Sequence, residues 1–146
     1  MSPRVPAQPV NSMVCYSCVE PGGSLRIALP FPTPSANEWS GRAWYARSRI
    51  KKKWLAAICA IVRIAEHRTM DRMGVHIERR APRELDLDNL YGGVKPILDA
   101  MVELGLLVDD RPRWLDLTVT QRKPDKGEPP HTIIVIDPNP RSWPMI

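Results

Sequence analysis

The 146-residue sequence contains no apolar run of the roughly 18 residues that a membrane-spanning helix requires. Its first residues also lack the continuous apolar core that is typical of a signal peptide. Three cysteines, an odd number, do not make a disulfide framework, and a reducing compartment is the better expectation. From these absences we expect a cytoplasmic protein with no membrane partner.

Cysteine and histidine are too sparse for a structural zinc site. Cys15 and Cys18 form a CxxC pair, but the sequence contains neither a second CxxC nor an HxxxH. A structural zinc ion normally takes four such ligands. Cys59 lies among apolar residues of the predicted helix, apart from the other cysteines. The sequence therefore does not predict a zinc site.

Acidic residues are missing from Trp39 through Ala65, a stretch that holds many lysines and arginines. The acids concentrate instead between Glu84 and Asp116, so charge is segregated by sign along a chain of net charge +5. A surplus of this size favours a polyanionic partner without establishing one. A basic run is also typical of the solvated face of an amphipathic helix, and the complete absence of acids favours DNA.

Proline is absent between Ser35 and Ala81, although the chain has 16 prolines, and this absence permits a long helix. Apolar residues at helical spacing, among them Tyr45 and Trp54, predict that helix at about 43–67. Most of the basic residues of the same stretch fall away from the apolar face. The sequence thus predicts an amphipathic helix with one basic side.

Alternating apolar and polar residues predict four strands. These strands cover residues 25–29, 74–79, 114–120 and 132–136. A second amphipathic helix is expected to end at Gly105, because glycine is favoured just beyond a helix end. The order is β-α-β-α-β-β, an α+β fold in which two main helices pack on a small mixed β-sheet. We expect a single domain over residues 24–146, preceded by a flexible or irregular lead-in over residues 1–23.

Two pairs of aspartates flank the second helix, Asp86 and Asp88 before it and Asp109 and Asp110 after it. On an extended segment, residues two apart project to the same side, so the first pair is expected to face one way before a helix that Asp88 or Asn89 caps. If the pairs converge, their repulsion favours a hard cation such as Mg²⁺, which also binds phosphate. The alternative is that the first pair only caps a helix and the second forms a solvated turn.

Two segments of the chain resemble the RusA family of phage and bacterial Holliday-junction endonucleases. That family carries DLDN-L-x-K-x-x-x-DAL, then a glycine and a DD pair. The corresponding residues here are Asp86-Leu87-Asp88-Asn89-Leu90, Lys95, Asp99-Ala100, Gly105 and Asp109-Asp110. Upstream, LPFPTPSAN at residues 29–37 is similar to the family's LP-x-P-PS-x-N. The resemblance covers about residues 24–137, with both segments in the family's order.

The resemblance implies a RusA-like homodimer that cuts two strands of a four-way DNA junction with Mg²⁺, or with Mn²⁺ as a substitute. Carried over by position, the implied metal ligands are Asp86, Asp88 and Asp110, with Asp109 as a further candidate. Lys95 corresponds to the family's motif lysine. The implied catalytic residues are therefore Asp86, Asp88, Asp110 and Lys95.

The chain departs from the family form in one place. Tyr-Gly-Gly-Val stands between Leu90 and Lys95, about three residues more than the family has. Three residues are close to one helical turn, so Lys95 would keep its face but move along the axis by roughly 4.5 Å. Gly92, Gly93 and Pro96 are also predicted to bend or restart the helix in this stretch.

Eight basic residues are candidates for contacts with DNA phosphates. They are Arg47, Lys51, Lys52, Arg79, Arg80, Arg83, Arg111 and Arg113. The first three belong to the acid-free run, and the others lie close in sequence to the aspartates. Together with the carboxylates, they favour a Mg²⁺-dependent endonuclease that acts on branched DNA. The alternatives are a non-catalytic module that binds branched DNA, and a protein-interaction domain with an acidic surface patch.

Overall fold

The structure, a computed structural model, describes residues 16–39, 43–62 and 72–138. These residues form five strands and four helical segments. The strands are β1 (Tyr16–Val19), β2 (Leu25–Leu29), β3 (Met73–Arg80), β4 (Leu115–Arg122) and β5 (His131–Asp137). The helical segments are α1 (Ala36–Trp39), α2 (Trp44–Ile61), α3 (Leu87–Gly92) and α4 (Lys95–Glu103).

The five strands form one mixed sheet in the order β1-β2-β5-β3-β4. Three neighbouring pairs are antiparallel, and β3 and β4 alone run parallel. A parallel pair needs a crossover connection, and α3 and α4 supply it. The predicted α+β class with a small mixed sheet and helices packed on it is confirmed.

The core lies on the sheet face that the helices cover. One row of paired residues crosses four strands, from Ile27 through Ile134 and Ile77 to Val119. All four are buried, and α2 adds the fully buried Trp54. Burying each large apolar side chain contributes about 1.5–3 kcal/mol, so this row holds the sheet to the helices.

The structure differs from the predicted elements at its N-terminal end. Tyr16–Val19 forms β1 and pairs antiparallel with β2, although an irregular lead-in was predicted for residues 1–23. A four-residue edge strand forms through backbone hydrogen bonds to its neighbour, and such pairing leaves little periodicity in the sequence. Residues 1–15 lie outside the described part of the chain.

The long helix is shorter than predicted. Val62 is extended, with φ −99° and ψ 124°, so α2 ends at Ile61 rather than near residue 67. Residues 63–67 lie outside the described part. Tyr45, predicted on the apolar face, lies in the first turn of α2 and is 61% exposed. Within the described residues, no helix has the length and apolar character needed to cross a membrane.

The predicted interruption of the second helix is confirmed. α3 ends at Gly92, and α4 begins at Lys95 with Pro96 in its first turn, where a missing N–H leaves no hydrogen bond broken. At the other end, Gly105 has φ +77°, which favours glycine. The N–H groups of Gly105 and Leu106 donate to the carbonyls of Val102 and Met101 and close the helix as expected.

Candidate functional site

The segment that carries Asp86 is fixed to the edge of the sheet by one side chain. Oε1 of Gln121 accepts from the backbone N–H of Leu85 at 2.9 Å, and its Nε2 donates to the Leu85 carbonyl at 2.7 Å. Gln121 lies near the end of β4, so the chain leaving the neighbouring strand β3 is held against its parallel partner. The start of the carboxylate segment therefore has a defined position relative to the sheet.

Asp86 caps α3. Its Oδ1 accepts from the backbone N–H of Asn89 and its Oδ2 from the Asn89 side-chain amide, both at 2.9 Å. These hydrogen bonds, the backbone one first, hold the pKa of Asp86 below its usual range, although the side chain is exposed. The sequence placed the cap at Asp88 or Asn89. The cap lies at Asp86 because its side chain reaches the N–H three residues later, as capping requires.

Asp88 lies in the first turn of α3, not on an extended segment with Asp86. Asp86 has an extended backbone, whereas Asp88 is helical. The two residues therefore do not form the extended Asp-x-Asp segment in which both side chains project to the same side. Asp88 is exposed, and its carboxylate forms no hydrogen bond or ion pair within the described part of the chain. The Asp88 carboxylate therefore remains open to an external partner.

The ammonium of Lys95 joins two carboxylates that are separated in sequence. Its Nζ lies 3.0 Å from Oδ1 of Asp99, one helical turn later in α4. The same Nζ donates to a carboxylate oxygen of Asp110, which lies in the segment after α4. The hydrogen bond to Asp110 is the main cause that raises the pKa of Lys95, and Asp99 adds to it. Three residues of the RusA-like motif thus come together.

Asp109, the residue before Asp110, forms its contacts with Arg111 rather than with Lys95. Its Oδ2 lies 2.7 Å from Nη2 of Arg111 and accepts from Nε at 2.8 Å. Its Oδ1 accepts from the backbone N–H of Asp110 at 2.7 Å. The Arg111 guanidinium, as the main cause, lowers the pKa of Asp109. The two adjacent carboxylates therefore have different partners, Arg111 for Asp109 and Lys95 for Asp110.

The glycines of the Tyr-Gly-Gly-Val insertion lie where two motif segments touch. A Cβ added to Gly93 would be 1.8 Å from the carbonyl oxygen of Pro34. A Cβ added to Gly92 would be 2.7 Å from Cβ of Ala36. Both distances are too short for real atoms, so only glycine permits this approach. The LPFPTPSAN segment and the carboxylate segment, far apart in sequence, are packed directly against each other here.

The carboxylates of this region are the residues that the sequence predicts as ligands of a divalent ion. No group of three or more His, Cys, Asp or Glu side chains within residues 16–39, 43–62 and 72–138 is gathered so that it could hold a metal ion. Carboxylate oxygens suit Mg²⁺ chemically, but both oxygens of Asp86 accept from Asn89, and Asp110 accepts from Lys95. An ammonium group and a metal ion compete for the same oxygen lone pairs. A metal ion at Oδ2 of Asp110 therefore competes with Lys95.

Four of the eight predicted DNA-binding residues are exposed and carry no ion pair within the described residues. They are Arg47, Lys52, Arg83 and Arg113. Arg113 lies over the ring of Trp114, with 5.2 Å from its guanidinium carbon to the ring centroid. Exposed charges without a local partner are available to phosphates, so these four fit the predicted role best.

Three other predicted residues already have acidic partners. Nζ of Lys51 lies 2.8 Å from a carboxylate oxygen of Glu103, and Nε of Arg80 lies 2.9 Å from one of Glu78. Arg111 is paired with Asp109, as described above. A phosphate would have to compete with these carboxylates, which weakens each contact that these residues offer to DNA.

Arg79 is the one predicted contact that the fold buries, at 8% exposure. It continues the inward alternation of Val75 and Ile77 along β3. Its Nε donates to the Thr33 carbonyl at 3.2 Å, and its Nη1 donates to the Arg83 carbonyl at 2.7 Å. Arg79 therefore lies beneath the surface, in contact with the proline-rich segment.

Exposed aromatic side chains accompany the basic residues at the start of α2. Trp44 is 73% exposed and Tyr45 61% exposed. Together with Ser48, Arg49 and Lys52 they line a shallow cavity of about 270 Å³. Aromatic faces beside cations are typical of surfaces on which nucleic-acid bases stack.

Two positioning residues were not identified from the sequence. Gln121 extends the alternation of Leu115, Leu117 and Val119 by one step, which would have placed it on the same face. Tyr91, within the insertion, accepts a hydrogen bond on its hydroxyl from the backbone N–H of Val119 at 3.3 Å. No sequence pattern indicates this contact, because it depends on how α3 lies along the sheet edge.

The comparisons with known proteins assign no family. The chain was compared with protein-family models and with curated proteins, and neither comparison finds a match.

Proposed function

We propose that this chain is a structure-selective DNA endonuclease of the RusA type. It would resolve four-way (Holliday) or related branched junctions by paired hydrolysis of phosphodiester bonds. The proposal includes a homodimer and a divalent cation, Mg²⁺ or Mn²⁺. Its supports are the two motif segments and the contacts between residues that those motifs single out.

The observation that carries the proposal is the contact of Lys95 with both Asp99 and Asp110. The motif resemblance rests on one-dimensional spacing and says nothing about distance in space. The contact with Asp99 follows from a spacing of four residues on one helix, whereas Asp110 lies outside that helix and fifteen residues from Lys95. Here the motif lysine and two motif aspartates share hydrogen bonds, which supports a common site.

The contact between the two motif segments is a second support. Gly93, directly after α3, packs on Pro34, so the LPFPTPSAN segment lies against the end of the helix that Asp86 caps. Each segment alone is a short pattern of modest specificity. Their direct packing supports the view that they belong to one functional unit.

Within this proposal, each motif residue has a role that its contacts allow. Asp86, Asp88 and Asp110 are the candidate metal ligands, and a bound divalent ion would supply positive charge to a phosphodiester. Asp88 is the most accessible of the three, since it has no partner in the described part of the chain. Lys95 carries a positive charge that pairs with a DNA phosphate once it leaves Asp110.

A non-catalytic module that binds branched DNA is the second candidate. It is favoured by one observation: Lys95 already neutralises Asp99 and Asp110, and the described residues gather no group of three metal-binding side chains. A protein of this kind keeps the basic surface and the exposed aromatics of α2. It binds junctions but does not need a metal ion.

A cleavage assay on a labelled four-way junction separates the candidates. The wild-type protein is incubated with Mg²⁺, with Mn²⁺ and with EDTA, beside the variants Asp88→Asn and Asp110→Asn. Asp88→Asn removes a charge without breaking a hydrogen bond, so its fold is retained. Asp125→Asn, an exposed aspartate in the turn before β5, is the matched control.

The endonuclease predicts paired, metal-dependent cuts that the control retains and both site variants lose. Junction binding without cuts under every metal condition identifies the binding module instead. A protein that does not bind the junction even at low salt contradicts both candidates and leaves the protein-interaction domain.

A further inference from the structure

A cavity of about 220 Å³ lies between the proline-rich segment, α2 and the end of β3. The residues that matter for its chemistry are Phe31, Thr33, Glu38, Lys53, Trp54 and Arg79. Thr33, Trp54 and Arg79 are buried, whereas Glu38 and Lys53 are exposed. The cavity thus runs from a charged, solvent-facing mouth to a buried polar interior.

The interior holds a cation that forms no ion pair. Arg79 is buried, and no carboxylate lies within 4 Å of its guanidinium in the described part of the chain. Its two hydrogen bonds there, from Nε and Nη1, go to the neutral backbone carbonyls of Thr33 and Arg83. Burial lowers the pKa of Arg79, and the exposed Glu38 offsets this only in part. An anion in the cavity would therefore reduce the cost of the buried charge.

The interior also holds an unused hydroxyl. Oγ1 of Thr33 is buried and has no hydrogen-bond partner among the residues that the structure describes. Buried polar atoms are nearly always bonded, so an orphaned one calls for a partner from outside the protein chain. Thr33 lines the same cavity as Arg79. A hydroxyl and a guanidinium are both donors to an oxygen-rich anion.

The mouth carries a second cation in a fixed position. Nζ of Lys53 lies 4.1 Å from the ring centroid of Phe31, and Phe31 packs edge-on against Trp54 with centroids 4.6 Å apart. A cation over an aromatic face is held there by the ring's negative surface. Glu38 also lines the cavity, so one carboxylate partly offsets the two cations.

We propose that this cavity binds a phosphate group, with Arg79 and the Thr33 hydroxyl as interior donors and Lys53 at the mouth. Its volume is below the roughly 300 Å³ at which pockets for whole small molecules begin, so it suits one anionic group rather than an entire ligand. A phosphate carries more than one negative charge and several acceptor oxygens, which match two cations and a hydroxyl better than a carboxylate does. The phosphate belongs either to a DNA backbone or to a small phosphorylated molecule.

The site is separate from the carboxylates that the endonuclease would use. None of Asp86, Asp88, Lys95 or Asp110 lines the cavity. The proposal therefore holds whether the chain cuts DNA, only binds it, or does neither. Its test needs no cleavage and is performed in EDTA.

Calorimetric titration of orthophosphate into the full chain is the direct test. Sodium chloride at matched ionic strength is the blank. We expect saturable binding to one site, weakened about tenfold in Thr33→Val and in Lys53→Met, since each loses one contact to a charged group. Thr33→Val breaks no hydrogen bond and keeps the side-chain shape, so this variant folds. Glu38→Gln removes the opposing charge, and we expect tighter binding.

Lys126→Met is the matched control for Lys53→Met, because Lys126 is an exposed lysine in the turn before β5 and does not line the cavity. Arg79→Met is the less useful variant, since it also removes two hydrogen bonds to the backbone. Equal phosphate affinity in the wild type, Thr33→Val and Lys53→Met overturns the proposal. Absence of saturable phosphate binding overturns it as well.

The two sources of phosphate are distinguished with the same variants. Binding of a junction and of a plain duplex is measured in EDTA, with and without competing orthophosphate. If Thr33→Val weakens phosphate and DNA binding by similar factors, the ligand is a backbone phosphate. If Thr33→Val weakens phosphate binding alone, the ligand is a small phosphorylated molecule. Either result supports a phosphate site, whatever the cleavage assay shows.

Discussion

The ammonium of Lys95 contacts the carboxylates of Asp99, four residues later, and Asp110, fifteen residues later. Its charge thereby occupies the place that a divalent cation would take between two acidic side chains. The same lysine is thus a motif residue and a competitor of the metal ion that the motif implies. Separating these two roles is the most direct way to learn what the site does.

Replacing Lys95 with methionine should tighten the binding of divalent cations. Removing an ammonium next to Asp110 is worth about 1 kcal/mol in water and more in a less polar site, or roughly fivefold or more in affinity. The Mn²⁺ affinity is measured from the rise in the thermal unfolding temperature as Mn²⁺ is added. Lys51→Met is the control, because Lys51 also forms an ion pair but with Glu103. Equal Mn²⁺ affinities for Lys95→Met and the wild type would contradict the competition.

Asp86→Asn should change how stability depends on pH. The pKa of Asp86 is lowered in the folded state, so this group contributes stability that is present above its unfolded value of 3.8 and is lost as pH falls through the folded value. Asparagine still caps a helix but does not titrate in this range. The free energy of unfolding of Asp86→Asn should therefore fall less steeply below pH 4.

Urea titrations at several pH values between 2 and 5 measure this difference. Asp88→Asn is the control on the same helix, because its carboxylate has no hydrogen-bond partner in the described part of the chain. We expect Asp88→Asn to follow the wild type. If Asp86→Asn follows it too, the hydrogen bonds from Asn89 do not stabilise the charged form of Asp86.

Gly93→Ala should destabilise the fold. The added methyl group would lie 1.8 Å from the carbonyl oxygen of Pro34, a backbone atom that cannot rotate away. Forced overpacking of this kind typically costs about 1–3 kcal/mol. Gly22→Ala is the control, since nothing lies within 4 Å of its added Cβ. Similar midpoints of chemical denaturation for the two variants would show that the α3 contact with Pro34 is looser than described.

Arg47→Gln combined with Lys52→Gln should weaken junction binding and reduce its dependence on salt. The logarithm of the affinity falls as the logarithm of the salt concentration rises. Each lost phosphate contact makes this fall shallower by about 0.9, so two lost contacts make it shallower by about 1.8. Fluorescence anisotropy in EDTA, at about 50 to 200 mM salt, measures this slope. Lys126→Gln is the single-charge control. An unchanged slope would place the DNA elsewhere than on α2.

The alternation of apolar residues was sufficient to predict most strands, because it follows from which face is buried. Ile27 and Ile77 were expected to face inward, and both are fully buried. β1 was missed because its place in the sheet depends on pairing with β2 rather than on its own pattern. Arg79 continues the inward alternation of β3, which predicts a buried side chain. Its charge predicts instead an exposed side chain in contact with DNA, and this second prediction is wrong about the exposure.

The candidate site was predictable only in part. A spacing of four residues predicts that Lys95 reaches Asp99 on one helix face. The approach of Asp110 to Lys95 was not predictable, since it depends on the turn at Gly105 and on the path that follows it. From the residues alone, the convergence of the Asp86 and Asp110 regions is a hypothesis, and a shared metal site is what the family resemblance implies. Within the described residues, no group of three or more His, Cys, Asp or Glu side chains is gathered, and the metal site stays a prediction.

The packing of Gly93 on Pro34 brings two parts of the molecule next to each other. Thr33, one residue before Pro34, lines the cavity proposed for phosphate, while Gly93 lies between α3, which carries Asp88, and α4, which begins at Lys95. A Cβ at Gly93 would overlap the Pro34 carbonyl oxygen, and one at Gly92 would overlap Ala36. The cavity segment and the carboxylate segment are therefore neighbours in the fold, and the two glycines of the insertion are the residues that allow it.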